Sequence, residues 1–494
     1  MRGAKIDSDL GQMSQGISFA TGNQNGETEW NAIGMLAQGQ RSNQSYTDAQ
    51  GQIINISTAS LQNPTFFDFG YKHQDFEFRA VSDDYRTKDQ TGTGVNLPEP
   101  LNLDFHLLSV DIKNRFRLSD KFSLTPEYII KRDESWKLND LLGGGTLGGV
   151  NYDRINIHQV LRLKFDWTLA PNQSLSIGTE SLQDNSEDRS QTPFNDGSTL
   201  LTYSSWSTFA QYEYSSDRTS VYLGARYETS SQFHPEFVPR INLVQRFSPS
   251  WYGKLLFSQA FRPTSTENLN SAASTGLSPE KAETYEAEIG HDWSSTLSSS
   301  LNIFKTTVLN PIIYSNDSSI LSYINFPGTG TEGFEFEVQD KSPNLFSYLG
   351  FSYYEGIDNQ VSLYNSGKGS ELLGIPQTKL VLLETYKLSQ TQSLTAVLVW
   401  NSSYHGYDYD PTQTAPATTL VSAPENTLLN LHFRQQDFLC KHCEADLGVA
   451  NVLNQTVKFY QPFNSNNNSI SSGNPPIPGY GRDIYARFGY SVNF

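Results

Sequence analysis

Hydrophobic and polar positions alternate along the end of this chain without a miss. Ile484, Ala486, Phe488, Tyr490, Val492 and Phe494 fall on one face. Asp483, Tyr485, Arg487, Gly489, Ser491 and Asn493 fall on the other. A period of two is the strand period. Other stretches repeat it. Val221, Leu223, Ala225 and Tyr227 alternate with Tyr222, Gly224, Arg226 and Glu228. Ala445, Leu447 and Val449 alternate with Glu444, Asp446 and Gly448, and Phe334, Phe336 and Val338 with Glu335, Glu337 and Gln339. Lys379–Glu384 resolves to neither face, and no stretch holds a helical period. A soluble sheet buries such an apolar face against a second layer. A transmembrane barrel turns it to lipid and keeps the polar face in the lumen.

Turn chemistry sets the rhythm. Gly, Pro, Asn, Asp and Ser clusters predict tight turns near Asn25-Gly26, Asp75-Phe76-Glu77, Asp120-Lys121, Pro171-Asn172, Ser216-Asp217 and Ser248-Pro249. Four more are expected near Ser294-Ser295, Ser342-Pro343-Asn344, Ser389-Gln390 and Cys440–Cys443. Between them run longer polar stretches: Ser42–Pro64, Lys88–Leu101, Leu138–Asn151, Asp184–Leu200, Arg262–Glu280, Ser366–Glu371, Gly406–Asn426 and Phe459–Pro478. Short turns on one side and long loops on the other are the outer-membrane pattern. With Ala4–Asp9 and Gly16–Gly22 as the first two strands, the fold class is all-β, an antiparallel transmembrane barrel of about 22 strands. A barrel of that size has room for a plug.

Composition agrees. Only 37% of the 494 residues are hydrophobic, yet 13% are aromatic, with Tyr 26 and Phe 29 against Met 3. Aromatic girdles around a wet interior produce that balance. No composition break divides the chain, so residues 1–494 are expected to form one domain. No apolar run is long enough for a transmembrane helix. A net charge of -17 argues against nucleic acid as a partner. The start, Met1-Arg-Gly-Ala-Lys5, has no apolar h-region and is not a signal peptide. An exported protein of this kind is expected to carry such a segment upstream of Met1.

Six stretches, in order, carry a resemblance. They are Phe257–Asn268, Leu277–Gly290, Asn325–Glu337 (with Gly333-Phe-Glu335), Gly374–Lys379, Val449–Asn454 and Gly479–Arg482. Together with the closing strand they resemble the C-terminal barrel of TonB-dependent outer-membrane receptors, the siderophore and cobalamin transporters. The resemblance implies uptake of a scarce chelate and no enzyme activity, cofactor or metal of the protein's own. It implies the bacterial outer membrane, with lipid, lipopolysaccharide and the barrel-assembly machinery as partners. An aromatic terminus such as Phe494, with Tyr490 above it, resembles the assembly signal of such barrels. In that family a plug precedes the barrel, and through it the TonB complex couples energy. Here the chain starts at the first expected strand, and neither plug nor coupling box can be placed. A plugless passive pore or scaffold is therefore the alternative, and a soluble propeller a distant third.

Candidate sites follow. Glu286, Glu288, Glu335 and Glu337 fall on lumen faces by parity. The resemblance places Glu286 and Glu335 where barrel glutamates meet plug arginines, and hydrated lumen acids are the plain alternative. Crowded carboxylates raise one another's pKa unless cations compensate. The resemblance also implies ligand contacts from loops and lumen: Arg262, Tyr407, Tyr409, Tyr460 and Tyr480, with Trp206 below one loop. An interfacial girdle is the other reading of each aromatic. Cys440-Lys-His-Cys443 reads most simply as a disulfide across a turn. A free pair or half a zinc site are the alternatives. Gly328-Thr-Gly-Thr-Glu-Gly333 matches a dinucleotide fingerprint by letter only, because a strand follows it where a helix is needed. The Gly143–Gly149 loop lacks the Lys-Ser/Thr ending of a P-loop.

Overall fold

The computed structural model describes residues 3–91, 96–97, 99–138, 153–190, 194, 197–270, 276–317, 320–410, 418–461 and 475–493. Its main element is a closed antiparallel barrel of 22 strands in chain order. One strand, Leu101–Asn114, is interrupted at Arg115 and continues as Phe116–Ser119. Closure joins the first strand, Gly3–Gly11, to the last, Asp483–Asn493, with Ile6 opposite Tyr490. Lys5 reaches across the closing strand to Glu444, at 2.5 Å, over the space left by Gly489.

Parity sets what faces where. Ile17, Phe19, Leu223, Leu255, Tyr285, Ile303, Phe336 and Phe488 all stand exposed on the outside. A soluble fold would cover them; a barrel leaves them to lipid. Rings cluster toward the short-turn rim, as in the Tyr71–Phe76 and Phe122–Phe165 pairs, with centroids 6.4 and 5.9 Å apart. Most fully covered apolar side chains lie in the long loops instead, among them Tyr46, Ile56, Val361, Leu373 and Ala423.

All ten expected tight turns fall at one rim. A serine closes several of them. Its hydroxyl accepts the backbone N–H three residues on, at 3.0 Å for Ser216–Thr219, Ser248–Trp251 and Ser294–Leu297 and 3.1 Å for Ser389–Gln392. That local bond is why serine marks these turns.

The opposite rim carries the long loops. Two short strands, Ile312–Asp317 and Ile320–Asn325, form a hairpin there that the sequence reading does not set apart as a loop. Ile312, Ile313 and Tyr314 on one and Ile320, Leu321, Tyr323 and Ile324 on the other are apolar, so composition does not mark them as a loop. The first and last long loops meet over the closure seam. Ser42 Oγ donates to Gly479 O at 2.7 Å, and Gly481 N donates to Asn43 Oδ1 at 2.8 Å.

Candidate functional site: the lumen wall and its mouth

On one side of the lumen the wall is an ion ladder. Arg79 grips Asp68 with two bonds, at 3.0 and 2.8 Å. Arg162 spans Glu127 and Glu180, at 2.5 and 2.6 Å, and Arg226 spans Glu180 and Glu228, at 2.7 and 2.8 Å. Farther round, Arg434 forks onto the buried carboxylate of Asp446. Glu228 is held from its own strand and the other acids named here from a neighbouring one. Among the described residues, Asp111 in the same wall leaves one carboxylate oxygen without a hydrogen-bond partner.

The sector holding Glu286, Glu288, Glu335 and Glu337 differs. Register places Lys254, Glu288, Asn302, Glu335, Ser352 and Lys379 in one row across six strands. Glu288 accepts from Lys254 Nζ at 2.8 Å and from Tyr252 Oη at 3.0 Å. The Tyr252 ring lies flat over Gly290, where a Cβ would come within 2.1 Å of it, so the glycine lets the hydroxyl reach the carboxylate. Glu337 accepts from Tyr348 Oη at 2.9 Å. Among the described residues, Glu286 and Glu335 have no side-chain partner.

At the mouth, the loop tyrosines divide. Tyr407 is nearly closed to solvent, and its backbone pairs with Gln461 of the last loop. Tyr460 meets the ring of Tyr404 edge-on at 6.4 Å. Tyr409 is half-buried on the same short strand, and Tyr480 is exposed. Arg262 ends its strand bonded to Glu280 at 2.5 Å. Trp206 points outward, exposed. It stands beside Thr229 and Ser181 on the lipid-facing surface.

Around these residues the loops interlock. His405 donates its backbone N–H to Glu371, 2.6 Å away, and brings its ring Nδ1 to the same carboxylate at 2.8 Å. Asp48 accepts backbone N–H bonds from Gln50, Gln52 and, from the next loop, Asn96. Burial alone would push its carboxyl up, but those donors prevail and hold it below the ordinary value. Burial raises the Asp408 carboxyl, with Asp410 adding to the rise while the Tyr409 backbone and Lys458 oppose it. Burial likewise pushes the Tyr46 hydroxyl up to about 12, helped by Asp48, Asp408 and Asp89.

One cluster escapes sequence reading. The inward-facing rings of Tyr85 and Phe105 stack at 4.7 Å, and Trp136 meets Phe105 edge-on at 5.2 Å. Strict alternation would point Trp136 outward with Arg132 and Glu134. A bulge between Glu134 and Lys137 inserts a residue and turns it toward the lumen. Trp136 sits at φ 64, a left-handed conformation that a bulky residue adopts only at a cost. More than half of its surface is open.

The remaining candidates are placed as follows. Cys440 and Cys443 are bonded in the turn before the Cys443–Ala450 strand, with Cα atoms 5.3 Å apart. Tyr490 faces outward on the closing strand. Phe494 and Gly143–Gly149 lie outside the described residues. The Gly328–Gly333 stretch opens a barrel strand, Gly328–Ser342.

Comparison with known proteins matches this architecture. The family model for the TonB dependent receptor-like β-barrel covers residues 20–494. No curated protein matches the chain in sequence. Among solved structures, the siderophore receptor PirA from Acinetobacter baumannii aligns with TM-score 0.77 and 13% identity, over 99% of this chain and 80% of that one. A mutant of the ferric enterobactin receptor PfeA from Pseudomonas aeruginosa aligns with TM-score 0.75 and 15% identity, over 99% and 80%. The FrpB iron transporter from Neisseria meningitidis aligns with TM-score 0.75 and 12% identity, over 99% and 81%. At these identities the structural likeness speaks for the fold, while the family model covers nearly the whole chain. The chain belongs to the TonB-dependent receptor family, of which it forms the β-barrel.

Proposed function

We propose that this barrel serves energy-coupled uptake of a ferric siderophore or a similar metal chelate across the bacterial outer membrane. The observation that carries the reading is the Tyr85–Phe105–Trp136 shelf. An exposed indole held at positive φ inside a wet lumen has no packing role that requires it. Such strain persists where function holds it. The shelf offers a ring face to an organic chelate entering from the long-loop rim. Three structural neighbours are named as siderophore, ferric enterobactin or iron transport proteins, which agrees with a chelate as cargo.

The acidic sector fits the same reading. A plug-type domain with a basic surface, carried on the same polypeptide or a second one, would supply the cations that Glu286 and Glu335 lack in the described wall. Such a plug would link the barrel to the TonB complex. Insertion would need the barrel-assembly machinery, with Tyr490 and Phe494 as its signal.

Uptake of radiolabelled iron tests the proposal. Cells lacking the gene should lose uptake of at least one ferric chelate from a catecholate and hydroxamate panel. Restoring the full polypeptide should return it, and dissipating the proton-motive force should abolish it. Unchanged uptake of every chelate, or a defect confined to cobalamin, would contradict the iron reading.

A further inference from the structure

The tight turns lie at one rim, which in an outer-membrane barrel is the periplasmic one. A serine hydroxyl helps to close four of them. The turn at 437–442 carries a disulfide at the corresponding place. Fold maintenance does not account for that covalent bond. Phe438 N donates to Cys443 O at 3.0 Å, and Cys443 N donates to Cys440 O at 3.2 Å. The Asp437 carboxylate accepts from His442 N at 2.7 Å, and His442 O accepts from Ser491 N of the closing strand at 3.1 Å. These bonds keep the two cysteines side by side whether or not the sulfurs are joined. A cross-link over a sequence separation of 3 adds the least that loop entropy allows.

The surroundings favour its reduction. Cys440 is exposed and Cys443 half-buried. Lys441 and His442 stand between them, both exposed. Among the described residues, Lys441 pairs with no carboxylate. A lysine, and a histidine when protonated, favour the thiolate that reduction of a Cys-X-X-Cys pair produces. The nearby acids are engaged, Asp437 by His442 N and Glu444 by Lys5 at 2.5 Å. An exposed disulfide with stabilised thiolates is more oxidising, and exchanges faster, than a structural one. Beside the sulfurs the surface is apolar. Leu439 is 92% exposed and Phe438 38%. Leu439 holds φ 64, a conformation that a bulky residue adopts only at a cost. At that exposure the cost is not offset by packing within the barrel.

We propose that the Cys440–Cys443 turn is a redox-active disulfide that exchanges with dithiol proteins of the periplasm. A thiolate of the partner attacks Sγ of Cys440, the exposed sulfur, and the Cys443 thiolate leaves. The partner's second thiolate then attacks the mixed disulfide and displaces Cys440. The barrel gains two electrons and two protons as a pair of thiols, and the partner keeps the disulfide. In the reverse direction Cys440 attacks and Cys443 resolves. Leu439 and Phe438 meet the partner's surface around its cysteines. The exchange is independent of the cargo and needs only that the short-turn rim faces the periplasm.

Incubation of the full protein in detergent with reduced thioredoxin tests it, read by alkylation and mass spectrometry. The turn should become a dithiol labelled at both cysteines while the barrel stays folded and heat-modifiable. Lys441→Ala with His442→Ala should lower the equilibrium constant for reduction at least tenfold. Leu439→Asn, a residue that tolerates the left-handed conformation, should slow exchange with thioredoxin at least tenfold and leave exchange with dithiothreitol unchanged. Oxidised glutathione should trap Cys443→Ser, through Cys440, at least tenfold faster than it traps Cys440→Ser. Resistance of the folded protein to thioredoxin would overturn the proposal, as would unfolding on reduction, which would show the bond to be structural. An equilibrium constant indifferent to both cations, or equal trapping of the two sulfurs, would overturn it too. If Leu439→Asn slows both reductants alike or neither, the protein dithiol as partner is overturned.

Discussion

Glu288 and Glu335 flank Asn302 in one lumen row, one strand to either side of it. Two strand spacings, about 10 Å, separate them. Lys254 stands 2.8 Å from the first. The second has no side-chain partner among the described residues. A sector with acids left over is a surface suited to something basic.

Trp136 separates fold from function. Glycine adopts φ 64 freely, so Trp136→Gly should leave thermal stability unchanged or raise it by about 1 kcal/mol. The same change should raise the half-saturation of chelate uptake roughly tenfold, equivalent to about 1.4 kcal/mol. If stability falls while uptake is unaffected, the indole is structural.

The Arg434–Asp446 fork should behave as a buried pair. Arg434→Ala leaves a carboxylate that is 1% exposed, and should cost about 3 kcal/mol in urea unfolding from micelles. Adding Asp446→Ala should recover part of the loss, because the stranded charge goes with it. A double variant as weak as the sum of the singles would count against the pairing.

Cys440 and Cys443 close a tiny loop. Alkylation of the unreduced protein should label neither. Reduction should cost at most about 2 kcal/mol, since loop entropy grows with length. Rapid labelling without reductant, or stoichiometric zinc, would contradict the disulfide.

The mouth should respond to acid in two opposite phases. The folded Asp408 carboxyl is raised above 3.8, so it binds protons before the unfolded one does. Its contribution therefore improves as pH falls from its raised folded value toward 3.8. The folded Asp48 carboxyl is lowered, so its contribution is complete above 3.8 and is lost as pH falls through the lowered value. Protection from hydrogen exchange, taken relative to the intrinsic rate at each pH, should rise in the Tyr404–Tyr409 strand on mild acidification and fall near Asp48–Gln52 only in stronger acid. Asp408→Asn should erase the first phase and Asp48→Asn the second. Protection that does not change with pH in either segment would show that these carboxyls do not govern the loops.

Turns and faces were legible because they are local. The Ser216, Ser248, Ser294 and Ser389 hydroxyls bond within their own turns. Parity alone puts Glu286 and Glu335 inside. What escaped depends on distant contacts or broken parity. Trp136 was hidden by one inserted residue. The coverage of Tyr407 depends on Gln461, which lies in another loop. The hairpin from Ile312 to Asn325 is apolar where the other long loops are polar, so composition hid it.

Conductance across a planar bilayer tests most directly whether the acidic sector receives a basic plug. The 494-residue barrel alone should give a large, ungated, cation-selective conductance. Adding a plug domain with a basic surface should reduce it sharply. Glu286→Gln with Glu335→Gln should weaken that block, most at low salt where screening is least. A barrel that already fails to conduct would contradict the account, and so would a plug block indifferent to both glutamates and to salt.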